Sequence, residues 1–134
     1  MSKQELKHDY LRVAEDVVEG AAALRGAIPK AMAGFSALGA AAYADGALSG
    51  KHKELIALAI GITVRCDGCV GYHAKACFDK GASREEVAEA IAVAVQMGGG
   101  PSMVYGATAL DAYDQISAAE EVELAFRDQP RDED

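Results

Sequence analysis

Two cysteines three positions apart, Cys66 and Cys69, with a histidine four residues beyond the second, His73, concentrate the reactive groups of this sequence in the run CDGCVGYH over 66–73. Thiols at this spacing can close a small disulfide, and an imidazole within reach can take or hold a thiol proton, so the pattern points to redox chemistry. If Cys69 lies in the first turn of a helix, His73 falls beside it on the same face. That singles out Cys69 as the thiol an imidazole can activate, and a helix N-terminus there adds partial positive charge that favours thiolate. Cys66, just upstream, is placed to attack an oxidised Cys69 and complete the disulfide.

Glu54 is a third candidate. It stands at the head of the apolar run Leu55 to Ile62, and a carboxylate entering such surroundings must be paired or have its pKa raised, which would suit proton relay with His73. A glutamate near a helix start also serves by its charge alone, and spacing does not separate the two readings. Asp67 puts a carboxylate between the thiols, where like charge works against thiolate. His52 lies two residues before Glu54 and so on a different helix face. Cys77 extends the Cys69–His73 face by a turn and reads as a buried small apolar side chain. Tyr72 reads equally as the wall of an access channel or as helix packing, and His8 as a solvated surface residue.

The elements that must hold these groups are helices throughout. A first helix is expected from about Gln4 to Gly20, on the spacing of Leu6, Tyr10, Val13 and Val17, with Gly20 and Gly26 bracketing its end. Pro29 fits the first turn of a second, running to about Ala44 before Asp45-Gly46. Ser49 can cap a third over 51–64, apolar on every face and therefore suited to an interior. Asp67-Gly68 interrupts, and a fourth helix carries Cys69, His73 and Cys77 to Lys80-Gly81. Ser83 and Glu86 form a capping box that opens a fifth, reaching Met97. Gly98 to Pro101 is a hard break that also suits close helix packing, and a last helix runs from about Ser102 to Ile116, with continuation to Phe126. The charged tail 127–134 reads as disordered. No strand pattern survives, so the fold class is all-α, a bundle of about six helices forming one domain over 1–134.

Composition narrows the function classes. Apolar residues are 51% of the 134, but with no Trp, three Phe and five Tyr the core must be built from small side chains in close-packed helices. A net charge of −8 disfavours nucleic acid and anionic membrane surfaces. The longest apolar run is far short of the roughly 18 to 20 residues that cross a bilayer. A polar start without an apolar leader predicts the cytoplasm, where a CxxC is catalytic or metal-binding rather than a structural staple. Two helices without a polar face are hard to bury in a chain this small, which predicts a homo-oligomer.

Rival readings belong to other classes. Cys66, Cys69, His73 and Cys77 supply four potential zinc ligands, but three residues at four-residue steps along one helix drift too far apart to close a tetrahedron. A non-catalytic oligomeric scaffold or redox sensor is a further alternative, discriminated by the reactivity of the thiol pair. No cofactor is called for by any motif.

Taken together, Glu54-Leu-Ile-Ala-Leu-Ala, the CxxC with its histidine, Gly81-Ala-Ser-Arg-Glu-Glu-Val and Met97-Gly-Gly-Gly-Pro-Ser-Met-Val-Tyr-Gly resemble the alkylhydroperoxidase-D-like branch of the carboxymuconolactone decarboxylase family over about 29–116. The resemblance implies an all-helical subunit in a trimer or hexamer, with the site near subunit contacts. It implies Cys69 as the peroxide-attacking thiol, Cys66 as the resolving thiol, Glu54 and His73 as proton relay, a hydroperoxide substrate and a dithiol reductant. Gly68 stands where the family's peroxidases resemble one another in carrying a second histidine. The family's decarboxylase branch is generally built without this CxxC, which disfavours a lyase.

Overall fold

Six α-helices account for nearly all of residues 8–127, which are the residues the computed structural model describes. They are α1 (Tyr10–Ala27), α2 (Pro29–Tyr43), α3 (Gly50–Thr63), α4 (Asp67–Asp79), α5 (Arg84–Gly98) and α6 (Gly100–Arg127). No strand occurs among the described residues, and the class is all-α as the sequence predicts. None of these helices is long and apolar enough to cross a membrane. The expected start at Gln4 and nearly all of the tail 127–134 fall outside the described residues.

Local signals explain most of the boundaries. Asp9 caps α1 by accepting the Arg12 N–H at 3.1 Å, and Ser49 caps α3 through the His52 N–H. Ser83 and Glu86 close the expected capping box on α5, each side chain accepting the other's backbone N–H at 3.1 and 3.0 Å. Two expectations are corrected. α1 does not end at Gly20 but runs through both glycines to Ala27, because a helical glycine costs only about 1 kcal/mol. The break comes from Pro29, which pushes Ile28 out of the helical region to φ −132°, ψ 63° and then starts α2.

The second correction concerns the turn before the thiols. Asp67 and Gly68 do not interrupt the chain; they are the first residues of α4. The interruption lies at Arg65, held in the left-handed region at φ 57°. The Cys66 N–H reaches back to the Gly61 carbonyl (3.1 Å) and the Arg65 N–H to Ile62 (3.2 Å), the paired bonds of a Schellman motif. The same motif ends α4, where Gly81 at φ 82° sets the Ala82 N–H on Cys77 and its own N–H on Phe78. Both ends of the helix bearing the thiols are thereby fixed.

The core sits where α3, α4, α5 and α6 meet. Leu58 and Ile62 of α3, Val70, Ala74 and Cys77 of α4 and Val87 of α5 are fully buried, with Ala109 and Ala112 of α6 opposite. Burial of a side chain such as Leu58 contributes about 2 kcal/mol. Small residues let the helices close up: a Cβ on Gly106 would meet Ile91 at 2.7 Å, and one on Gly98 would overlap Ser102. Tyr113 donates its hydroxyl to the Ala82 carbonyl at 2.7 Å, tying α6 to the turn after α4.

In this chain α3 and α5 are not covered all round, as expected of two helices without a polar face in a chain this small. Ile56 and Ile60 of α3 and Val93 and Met97 of α5 are exposed, Met97 to 76%. α2 packs on α1 and touches α3 at its end, buries no residue fully, and leaves Phe35 69% exposed.

Candidate functional site

Cys66 is the N-cap of α4, at φ −106° and ψ 103°, and its Sγ accepts the Cys69 backbone N–H at 3.2 Å. The Schellman turn at Arg65 delivers it there. Cys66 and Cys69 form a disulfide with their Cα atoms 5.2 Å apart. Both are half-buried. The thiol pair therefore lies against the positive end of the α4 dipole, where a thiolate is favoured. Asp67 occupies the first turn between them, in the position where a carboxylate also interacts favourably with that end.

Behind the pair the two helices touch closely. A Cβ on Gly61 of α3 would lie 3.1 Å from the Cys69 Cβ, so only glycine lets α3 approach at this level. Gly68 faces α1 in the same way: a Cβ there would meet the Val17 side chain at 3.0 Å, which gives a packing reason for glycine where the resemblance points to a histidine.

One turn beyond Cys69, His73 meets Glu54. The Glu54 Oε2 lies 2.7 Å from the His73 Nδ1, with the two side chains 18% (His) and 10% (Glu) exposed. A carboxylate only accepts, so the ring proton is assigned to Nδ1 and the neutral imidazole keeps its lone pair on Nε2. Glu54 thus satisfies the condition its surroundings impose by being paired. Its negative charge is felt by two further groups. The Cys77 thiol, fully buried, is pushed up to about 12 by burial and then by Glu54, and the Tyr43 phenol is pushed up by burial and then by Glu54.

Two tyrosines frame the imidazole. Tyr43, the last residue of α2, stacks on it with ring centroids 5.8 Å apart and planes 26° apart. Tyr72 meets it edge-on at 5.1 Å and 84°. Tyr72 is also a wall of an apolar-floored groove of about 440 Å³ between α1 and α4, lined by Leu11, Ala14, Val18, Lys75 and Ala76 among others.

Of the four residues singled out by the sequence, the structure joins Cys66 to Cys69 as a disulfide and Glu54 to His73 as a carboxylate–imidazole pair, on the adjoining helices α3 and α4 and the turn between them. His52 is not among them: it is exposed and its Nδ1 bonds the Ser49 hydroxyl at 2.8 Å. Cys77 is buried in the core, and His8 is exposed. Among the described residues no group of three or more His, Cys, Asp or Glu is arranged to hold a metal ion. Sequence reasoning missed Tyr43, which is brought in from 30 residues before His73 by tertiary packing, and Arg65, whose left-handed backbone has no sequence signal.

Comparison with known proteins places these features in company. The model of the carboxymuconolactone decarboxylase family matches residues 29–112. An uncharacterised protein of Cupriavidus necator is 41% identical over 96 residues, 72% of this chain and 85% of its own length. A solved carboxymuconolactone decarboxylase family protein from Legionella pneumophila superposes with a TM-score of 0.78 at 42% identity, covering 81% of this chain and 96% of its own. A second, from Thermotoga maritima, for which involvement in the antioxidative response has been suggested, gives a TM-score of 0.72 at 30% identity over 81% of this chain and 95% of its own.

Proposed function

Because this chain belongs to the carboxymuconolactone decarboxylase family and carries the CxxC of its alkylhydroperoxidase-D-like branch, we propose that it is a thiol-dependent hydroperoxidase with disulfide reductase chemistry. The observation that carries this reading is the Glu54–His73 contact at 2.7 Å, one helical turn from a disulfide-bonded cysteine pair at a helix N-terminus. A redox thiol needs a low-pKa environment and a proton carrier, and both are supported here.

In the proposed cycle His73, held through Nδ1 by Glu54, takes the Cys69 thiol proton on Nε2. The Cys69 thiolate attacks the terminal oxygen of a hydroperoxide and the O–O bond breaks. Cys69 becomes a sulfenic acid, and the alkoxide leaves as alcohol with the proton that His73 returns. The Cys66 thiol then condenses with the sulfenic acid, releasing water and forming the Cys66–Cys69 disulfide. An external dithiol reduces this bond by two exchange steps and is itself oxidised. No metal or organic cofactor enters the cycle.

Reduced protein treated with one equivalent of alkyl hydroperoxide is expected to yield the Cys66–Cys69 disulfide by peptide mass spectrometry, with an equivalent of alcohol released. Both thiols remaining free after treatment would end the peroxidase reading. The proposed working unit is a homo-oligomer, supported by the exposed apolar rows Ile56/Ile60 on α3, the helix that carries Glu54, and Val93/Met97 on α5 packed beside it. Light scattering on purified protein tests it, and a monomer at micromolar concentration would count against it.

A further inference from the structure

We propose that Tyr43 is a positioning residue for the Glu54–His73 pair, its ring backing the imidazole so that Nδ1 stays on Glu54 and Nε2 stays free for the thiol proton. The inference rests on the relay role given to His73 above. The terminal torsion of a histidine is broad and roughly two-fold, so a ring held by one hydrogen bond still swings about it. A contact across the ring face removes that freedom. Tyr43 supplies one, offset-stacked at 5.8 Å and 26°, within the range of favourable aromatic pairs. Tyr72, edge-on at 5.1 Å, closes a second side.

The chain builds a support for this ring. Tyr43 is half-buried at the end of a helix that otherwise lies largely in the open. The two residues after it are tied to the start of α3, the helix that carries Glu54. The Lys53 ammonium donates to the Ala44 carbonyl, and the Asp45 carboxylate accepts the Gly50 N–H at 2.5 Å. The aromatic platform and the carboxylate are thereby referred to the same helical turn, and the imidazole lies between them. Burial beside the Glu54 charge keeps the phenol neutral, so the platform is an uncharged ring.

The test compares Tyr43→Phe with Tyr43→Leu in the full chain. The rate of Cys66–Cys69 disulfide formation with alkyl hydroperoxide should fall about tenfold in Tyr43→Leu and stay within about twofold in Tyr43→Phe. In parallel the His73 Hε1 proton resonance, shifted by the ring current of its stacking partner, should move in Tyr43→Leu and hold in Tyr43→Phe. An unchanged rate in Tyr43→Leu overturns the proposal whether or not the resonance moves. So does a Tyr43→Phe variant as slow as Tyr43→Leu, which would assign the effect to the phenol oxygen. Should Tyr43→Leu fail to fold, absence of a nuclear Overhauser effect between the Tyr43 and His73 rings in the unmodified protein overturns it. Failure of the peroxidase reading is distinct: the unmodified protein would then form no disulfide with peroxide, while the stacking signature would still be present.

Discussion

Glu54 and His73 join α3 to α4 through a single 2.7 Å contact between Oε2 and Nδ1, in a place where neither side chain has much water. In the proposed relay the carboxylate selects the tautomer and would stabilise the imidazolium formed when the ring takes a proton. Glu54→Gln keeps an acceptor of similar shape and removes the charge. The rate of Cys69 alkylation near neutral pH, followed by peptide mass spectrometry, is expected to fall at least about tenfold, in line with the contribution of a positioned acid–base group. An unchanged rate would take Glu54 out of the relay.

Cys77 should be chemically silent in the folded protein. Its thiol is fully buried and pushed up to about 12 by burial and by the neighbouring Glu54, so almost no thiolate exists at pH 8. Iodoacetamide added to reduced native protein should label Cys66 and Cys69 and spare Cys77, which should react only after denaturation. Labelling of Cys77 in native protein at a rate comparable with the pair would contradict this.

Glu86 gives the fold a measurable acid sensitivity. Its carboxyl is held down at about 2 by the Lys51 ammonium at 2.8 Å and by the Ser83 backbone N–H. A carboxyl with a lowered folded pKa stabilises the fold above its unfolded value, about 4.3, and loses that contribution as pH falls toward 2. Glu86→Gln retains the capping geometry without the charge. The melting-temperature difference between the native protein and this variant should be constant above about pH 5 and should close toward pH 2. A difference independent of pH across that window would show that the ion pair contributes nothing.

Arg65→Gly should raise stability. A non-glycine residue in the left-handed region costs about 1 to 2 kcal/mol, partly offset by the greater chain entropy glycine loses on folding. With φ 57° at Arg65 the net gain should be up to about 1 kcal/mol in denaturant unfolding of the reduced protein. A loss of stability would mean that the arginine side chain contributes more than its backbone conformation costs.

Legibility in the sequence followed the range of the signal. The capping box at Ser83, the proline start of α2 and the CxxC with its histidine act over a few residues, and each was readable as written. The end of α1 is set by Pro29 and not by Gly20 and Gly26, because a helical glycine is tolerated where a proline forces the preceding residue out of the helix. The break before α4 was placed at Asp67-Gly68, the usual turn pair, whereas the backbone turns at Arg65, for which side-chain identity offers no cue. Tyr43 has no local signal, since its contact with His73 exists only once the end of α2 meets the helices that carry the site. That α3 and α5 could not both be buried follows from their apolar faces and the length of the chain, but which residues stay exposed, Ile60 and Met97 among them, depends on packing that periodicity does not report.

The Cys66–Cys69 bond spans three positions inside a turn that the paired backbone bonds at Arg65 and the cap at the head of α4 already hold. Closing so short a ring restrains the unfolded chain less than a long loop would, by about 2 kcal/mol against about 3 for a fifteen-residue loop. Oxidation state and folded state are thereby coupled less strongly than a long-range disulfide would couple them. In the proposed cycle, two electrons would then enter and leave at this bond within a turn held independently of it, and the rate of turnover would rest on the chemistry of the partners that meet it.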